Sequence, residues 1–554
     1  MTKAFPHYVA WVLIWTVVVV AALILRPILP LDETRYFAVA WEMWRSGNVL
    51  VPELNGAFYS HKPPLLFWLI NAGWGVFGPT EIWGRLVGPA FGLGSVFLIH
   101  RLAMVLWPGS RPAQLVAPWI LCGSLLWLIT TTLSMFDTMV MFFTLVGLVG
   151  LALAASARTT GGPLDRRRFV GGWALFALGI GLGVLAKGPV VLVFTLPAAI
   201  LAPIWWAPAE QRVRIGGAKW YAMLVVAILA GAGVALAWAI PAALSGGEEF
   251  ARAIFLGQTT GRIAGSFSHG RPFWWYMPML LALLFPWVLW PTLWRGLWAA
   301  DWRRDPGMRF VAVWFVGAFL VLSSFTDKQP HYFLAALPAF ALLAARALTT
   351  VSSFEAPSWA TVLPLIPTGV IGAALVVAGL RPDIVVNIAG ETPLNVGNEN
   401  VIAGGVVLLA IVIGLGVVGR AVSRQVYALA VISTVAVAAL HLSFGPTAAH
   451  LYDLREPAHR LRALAASGRP IAHIGKYHGQ FHYLGQLDTP LEVIDGGAVS
   501  DWFAKNPDGV AVYLHRQRED VAEGAAIFVQ PFRSRWLAIW DGAGAALDPE
   551  IFTR

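Results

Sequence analysis

Asp32 and Glu33 stand side by side in Leu31-Asp32-Glu33-Thr34-Arg35-Tyr36, directly after an apolar run long enough to cross a bilayer. A carboxylate at that boundary, where a lipid headgroup lies, can serve as general base for an acceptor group. Arg35 beside it can offset its charge or hold a phosphate. The same residues also suit a solvated loop start with Asp32 as a helix N-cap. Next comes Tyr59-Ser60-His61-Lys62-Pro63-Pro64, which runs straight into Leu65-Leu66-Phe67-Trp68. Lys62 therefore precedes a rigid Pro-Pro turn that opens a membrane-embedded helix. It is placed for an interfacial phosphate, or for snorkelling along its own aliphatic stem.

Asp137 falls in the tight connection between two hydrophobic runs, and Lys187 lies in Leu185-Ala186-Lys187-Gly188-Pro189. Charges so close to hydrocarbon need partners and tend to mark functional cavities. Asp327-Lys328-Gln329-Pro330-His331-Tyr332 adds a Lys and a Tyr at a helix mouth, where they can hydrogen-bond a phosphate; Tyr332 equally suits a plain interfacial anchor. Arg262, His269 and Arg271 lie in a loop spanning about 244–272, long enough to act as a lid or clamp. His61, His269 and His331, with Glu33 and Asp137, are the available metal ligands, but no pair has ligand-like spacing. We therefore assign no metal, with His61 as the residue to watch.

These side chains must be positioned by membrane helices. Of 554 residues, 58% are hydrophobic and only 12% charged, against about a quarter charged in ordinary globular proteins, which excludes a cytosolic enzyme, a disordered protein and a coiled coil. The 27 Trp suit interfacial anchoring of many helix ends. The net charge of +9 sits mostly in short loops, where the positive-inside rule accounts for it without nucleic-acid binding. Cys122 is the single cysteine, so no intramolecular disulfide and no cysteine-based metal site can form.

The first apolar stretch, about 8–29, reads as an anchor helix, and a long amphipathic segment follows from 30 to 82. Further spans centre near 95, 122, 147, 178, 197, 231, 285, 318, 341, 369, 410 and 434, about thirteen in all. Arg166-Arg167-Arg168, then Arg212, Arg214 and Lys219, then Arg303, Arg304 and Arg309 fall in alternate loops, which the K/R bias assigns to the cytoplasm. The opposite, outward face then carries 30–82, Asp137, Lys187, 244–272 and His331-Tyr332. From about 446 the chain turns polar. Alternating stretches at Gly509–Leu514 and Ala525–Val529 read as strands, and Pro457–Ser467 reads as a helix. We expect a membrane domain over 1–445 and a small α/β domain outside the membrane over 446–554.

Asp-Glu-x-Arg-Tyr after the first span, Lys-Pro-Pro before the next membrane entry, Asp137, the Ala-Lys-Gly element and the Pro-x-Tyr element before a late span together resemble one family. It is the lipid A aminoarabinose transferase and protein O-mannosyltransferase superfamily of GT-C glycosyltransferases. The resemblance covers the whole chain. It implies an inverting enzyme of the bacterial inner membrane that takes a sugar from a polyprenyl-phosphate donor on the periplasmic side. The acceptor it implies is a periplasmic lipid of the lipid A type, a glycan or a protein, reached among membrane lipids. Asp32 matches the catalytic carboxylate, and Asp137 a second acidic position. Arg35, Tyr59, Lys62, Lys187 and Tyr332 match positions that contact the carrier phosphate or shape its cavity, and we add Arg262 to that group. Glu33, His61 and His331 support them. Two departures bear on cofactors: His61 stands where close aminoarabinose transferases have Glu before Lys-Pro-Pro, and Leu256–Arg262 replaces a histidine-bearing stretch. Both argue against a metal; none is required, although a divalent ion stays compatible with the resemblance. The rival readings are a lipid-linked sugar flippase, which tends to show internal repeats and mid-membrane charges, and a non-catalytic scaffold.

Overall fold

In the computed structural model, the described residues are 5–552 except 158–162, 207–216, 258–269, 352–357, 384–398, 416–420, 522–524 and 548. The chain is a helical membrane bundle. Among the described residues nine helices are long and apolar enough to cross a bilayer, and four shorter apolar helices accompany them. The segment expected near 122 is broken into Arg111–Cys122 and Leu125–Thr130, and the one near 285 into pieces separated at Phe285-Pro286. Proline removes a helix donor and crowds the preceding turn, which accounts for the second break, whereas the first falls at Gly123-Ser124.

Helix α1 (Phe5–Leu25) is apolar throughout and only 28% of its span is buried, which leaves most of it for lipid. The long segment after it resolves into α2 (Asp32–Ser46), a hairpin of β1 (Glu53–Leu54) and β2 (Ala57–Phe58), and α3 (Leu65–Phe77). Then come α4 (Glu81–Leu106), α5 (Arg111–Cys122), α6 (Leu125–Thr130), α7 (Phe136–Ala155) and α8 (Arg166–Lys187). Helix α2 is amphipathic: Tyr36, Phe37, Val39, Ala40, Trp41 and Met43 are buried, and Gly47 ends it in the left-handed conformation.

Helix α7 is the centre of the bundle, with 83% of its span buried. It lies antiparallel to α8 at glycine-lined contacts. A Cβ on Gly172 would lie 2.5 Å from the Gly150 carbonyl oxygen, and one on Gly179 would lie 2.6 Å from the Gly147 amide nitrogen. Small residues let membrane helices approach this closely. The same antiparallel register, continued to the end of both helices, sets Lys187 beside Asp137.

Two expected boundaries move. The stretch expected to begin a loop at 244 is helical: Gly217–Arg252 runs on through a kink at Gly247 (φ 77°), and a π-helical turn follows at Ala253–Gly257. The helix Val422–Tyr452 continues past 446. After it the chain builds a five-stranded sheet of β3 (Ile471–Ile474), β4 (Glu492–Ile494), β5 (Val510–His515), β6 (Phe528–Phe532) and β7 (Arg535–Asp541), in the order β4-β3-β5-β7-β6. β3 pairs in parallel with β4 and β5, whereas β7 is antiparallel to β5 and β6. Side chains alternate between two cores. Val510, Val512, Leu537 and Ile539 meet the helix Arg455–Ala466, and Ala511, Ala538 and Trp540 meet Trp502, Phe503 and Phe552. Ala525 and Ala526 precede β6 rather than joining it.

This sheet region sits on α2. Trp41 Nε1 donates to the Leu487 carbonyl at 3.0 Å, and Asn55 exchanges two hydrogen bonds with the Leu491 backbone. Tyr483 stacks on Trp74 with ring centroids 5.3 Å apart.

Candidate active site

The first turn of α2 carries both acidic residues, and they part company there. Glu33 turns inward and is 2% exposed. Its carboxylate accepts from Arg26 Nη1 at 2.5 Å, the Leu29 amide at 2.9 Å and the Ser134 amide at 2.8 Å, while Arg26 Nη2 donates to the Thr132 carbonyl. Burial pushes the Glu33 carboxyl up, but Arg26 and the two amides outweigh it and hold the group below its ordinary range. Glu33 thereby ties the end of α1, the start of α2 and the approach to α7 into one knot. It fixes the local geometry around the start of α2. Arg26, its partner, was not singled out from sequence; a lone arginine at the end of an apolar run reads as an interfacial anchor.

Asp32 turns outward, with its side chain 52% exposed. It pairs with Arg35 one turn on, and the Tyr36 hydroxyl lies 3.4 Å from Oδ1. Arg35 loses some favour for its charge through burial, but Tyr59, Tyr36 and Asp32 more than restore it, so its cation is held. Tyr36 is buried, and its hydroxyl is pushed well above the ordinary range by burial and then by Asp32. It stays a neutral hydrogen-bond donor.

Beneath these lies an aromatic floor. Tyr36 meets Phe136 edge-on at 4.7 Å, Phe136 meets Phe67 at 5.8 Å, and Phe67 meets the buried Tyr59 at 6.1 Å. Lys62 Nζ stands 6.0 Å from the centre of the Phe136 ring, and the exposed His61 rests against Tyr59 at 5.5 Å. Lys62 thus joins the residues of α2 and α7 although the β1–β2 hairpin intervenes in sequence.

Asp137, one residue into α7, pairs with Lys187 at the end of α8 at 2.6 Å, with side chains 8% and 11% exposed. The Lys187 ammonium lies 4.7 Å from the centre of the Tyr332 ring, and the Tyr332 hydroxyl donates to Asp327 Oδ2 at 3.2 Å. His331 feels the charges of Asp137, Lys187, Asp32 and Lys62 together. Nine of the expected positions, Asp32, Arg35, Tyr59, His61, Lys62, Asp137, Lys187, His331 and Tyr332, therefore converge at one end of the bundle. Glu33 lies beneath them, and Arg262 falls outside the described residues, as does His269. Lys328 differs from expectation. Its side chain is 1% exposed and its ammonium donates to the carbonyls of Arg271 and Phe325, so it clamps a turn rather than facing a phosphate.

Tyr36 and Asp327 complete the site without having been assigned a role from sequence. Tyr36 could have been found from the i, i+4 spacing to Asp32. Asp327 could not, because its contact depends on the turn before Tyr332. Among the described residues no group of three or more His, Cys, Asp or Glu is arranged to hold a metal ion. The arrangement offers one accessible carboxylate, several cations at an aromatic rim, and a buried ion pair below. Such a set suits deprotonation of an acceptor beside an anionic leaving group.

The fold is shared with a solved membrane protein. ArnT from Cupriavidus metallidurans, solved bound to undecaprenyl phosphate, superposes over 97% of this chain and 98% of its own with a TM-score of 0.73 at 19% identity; the apo form gives 0.72. In sequence, the undecaprenyl phosphate-alpha-4-amino-4-deoxy-L-arabinose arabinosyl transferase of Serratia proteamaculans is 31% identical over 321 residues, 57% of this chain and 54% of that protein. The enzyme of the same name from Erwinia tasmaniensis is 29% identical over 367 residues, 65% of this chain and 62% of that protein. The sequence match thus spans little more than half the length of these curated relatives. No family model matches the chain.

Proposed function

We propose that this protein is an inverting glycosyltransferase that moves a sugar from a polyprenyl-phosphate donor onto a lipid A-like lipid, a glycan or a protein at the outer face of a bacterial inner membrane. The observation that carries this reading is the meeting of half-exposed Asp32 with Arg35, Lys62 and the Asp137–Lys187 pair at one end of the bundle. Asp32 takes the proton from the acceptor as its oxygen attacks the anomeric carbon. The bond from that carbon to the phosphate oxygen breaks, and its electron pair leaves with the polyprenyl phosphate. Arg35, Lys62 and Lys187 meet the charge that develops there, in a setting where pre-placed cations act strongly. Asp137 holds Lys187 in position, and Tyr59 and Tyr332 shape the cavity. The bilayer-edge location suits a donor whose polyprenyl tail stays in lipid.

The residues over 1–445 form the catalytic membrane unit in this reading, and those over 446–554 an extracytoplasmic cover. No divalent metal is needed, because side-chain cations already face the leaving group. The donor named in the relatives, undecaprenyl phosphate-α-4-amino-4-deoxy-L-arabinose, is the first to supply. The test uses full-length protein in lipid vesicles with radiolabelled donor and lipid A, with and without EDTA. Label on a new lipid, undiminished by EDTA, is the expected result. Donor carried intact across the bilayer with its sugar–phosphate bond unbroken would overturn the reading in favour of a transporter.

A further inference from the structure

The loop that leaves β3 rests on α2 one turn beyond Asp32 and Arg35. A Cβ on Gly479 would lie 2.4 Å from Leu54 Cδ1 and 2.9 Å from Ala38 Cβ, so the loop backbone rests directly on α2. Ala38 follows Arg35 at i+3 and therefore shares its helix face one turn along. His478, the neighbour of Gly479, lies near enough to Arg35 and Asp32 to feel both charges. It is half-buried, whereas Lys476 in the same loop is exposed.

The loop is built to hold its shape. Gly475 and Gly479 supply positive φ at 77° and 76°, which L-residues with a Cβ rarely adopt. The His478 amide donates to Gln480 Oε1 at 3.0 Å, and Gln480 Nε2 meets His473 Nε2 at 3.2 Å. The Tyr477 hydroxyl accepts from the Phe481 amide at 3.2 Å and shares a hydrogen bond with His482 Nδ1 at 2.7 Å. His473, Gln480 and His482 are each 3% exposed or less. Burial first, then Arg35 and Lys476, hold His478 below the ordinary histidine value, and Asp32 acts on it in the opposite sense. The loop also leaves the carboxyl end of a parallel strand flanked by two parallel neighbours, the place where open α/β sheets present ligands.

We propose that the loop 475–480 forms the acceptor-side wall of the cavity, with Lys476 and His478 as positioning residues that bind an anionic group on the acceptor and set it beside Asp32. This rests on the transferase reading above and adds to it a contribution from the sheet region. Donor contacts, by contrast, come from Arg35, Lys62 and Lys187. The two substrates are then held by different parts of the chain.

The test compares full-length protein with Lys476→Ala, His478→Ala and the double variant in lipid nanodiscs. Phosphorylated lipid A is the acceptor probe, and undecaprenyl phosphate-α-4-amino-4-deoxy-L-arabinose the donor. Binding of each is measured separately from turnover. Loss of one or two charge-assisted hydrogen bonds should raise the acceptor KM and Kd of the double variant about 10-fold or more. The donor Kd should stay within about 2-fold and kcat should fall less than KM rises, a split that a merely structural role would not produce. An unchanged acceptor KM and Kd, or a donor Kd that weakens in step, would overturn the assignment. If the wild type binds lipid A through these residues but transfers nothing, the transferase reading fails and this site stands. If it neither binds nor transfers, both fail.

Discussion

The two acid–base pairs of the site lie at its mouth and its floor, and they are built in opposite ways. At the mouth, Asp32 and Arg35 are neighbours on one helix turn, and Asp32 keeps half its surface in contact with solvent. At the floor, Asp137 and Lys187 come from the ends of two helices and are nearly closed off. An exposed local pair contributes little to stability and leaves its carboxylate free to exchange protons. A buried pair joined across helices is costly to break, because removing one partner leaves the other charge unpaired, so it suits holding a cation in place. The lesson is that adjacency in sequence did not decide function. Asp32 and Glu33 are consecutive, yet one belongs to the mouth and the other to the framework beneath it.

The contrast is broken most directly at the mouth. Asp32→Asn should lower turnover by about 10²- to 10⁴-fold, the usual contribution of a positioned general base, while thermal unfolding in detergent and donor binding stay near wild type. A variant that keeps its turnover would remove Asp32 as the base. Glu33→Gln should do the reverse. It leaves Arg26 buried without its counter-charge, and a loss of about 3–5 kcal/mol in stability is expected, read as a lower unfolding temperature before any specific kinetic effect. Because the folded Glu33 value is depressed, its stabilisation is present above the unfolded carboxylate range and is lost as pH falls through the folded value.

Acid should separate the sheet region from the bundle. Burial lowers His473 and His482 to about 4 from an ordinary 6.5. The unfolded state then binds more protons between those values, so stability is complete above about 6.5 and is lost as pH falls toward 4. The loss is at most about 3 kcal/mol per histidine. Hydrogen exchange across β3 and the 475–482 loop should speed up over that window, ahead of α7; equal loss in both would refute the local account. Lys62→Ala sharpens the donor side. Removing one cation from a phosphate should weaken donor binding about 10-fold, and an unchanged Kd would place Lys62 outside the site. The smallest change is Tyr332→Phe, which removes the hydroxyl that donates to Asp327. A loss of about 1 kcal/mol in stability is expected with turnover reduced a few-fold; a larger kinetic loss would assign the hydroxyl a direct role.

Much of this was legible beforehand. Long apolar runs announced the bundle, since a bilayer demands them of any spanning helix. Alternate basic loops assigned Asp32, Lys62, Asp137, Lys187 and Tyr332 to one face, and that face is where the helix ends gather them. The polar chain after Tyr452 read as strands and helix, and β5 and Arg455–Ala466 lie close to the expected ranges. The stretch after 244 read as loop because its glycines and carboxylates hide a helix that a single kink at Gly247 accommodates.

The amino-acid sequence by itself determined the membrane class and the residue types available at one end of the bundle, because these depend on local hydropathy and charge. Pairing was decided only in three dimensions. That the Ser134 amide closes on Glu33, that Lys187 reaches Asp137 along a glycine-lined helix contact, that Lys328 reaches the Arg271 carbonyl, and that His478 comes within the field of Arg35 all depend on elements distant in the chain. Such contacts follow from which surfaces can be buried together, and no local pattern encodes them.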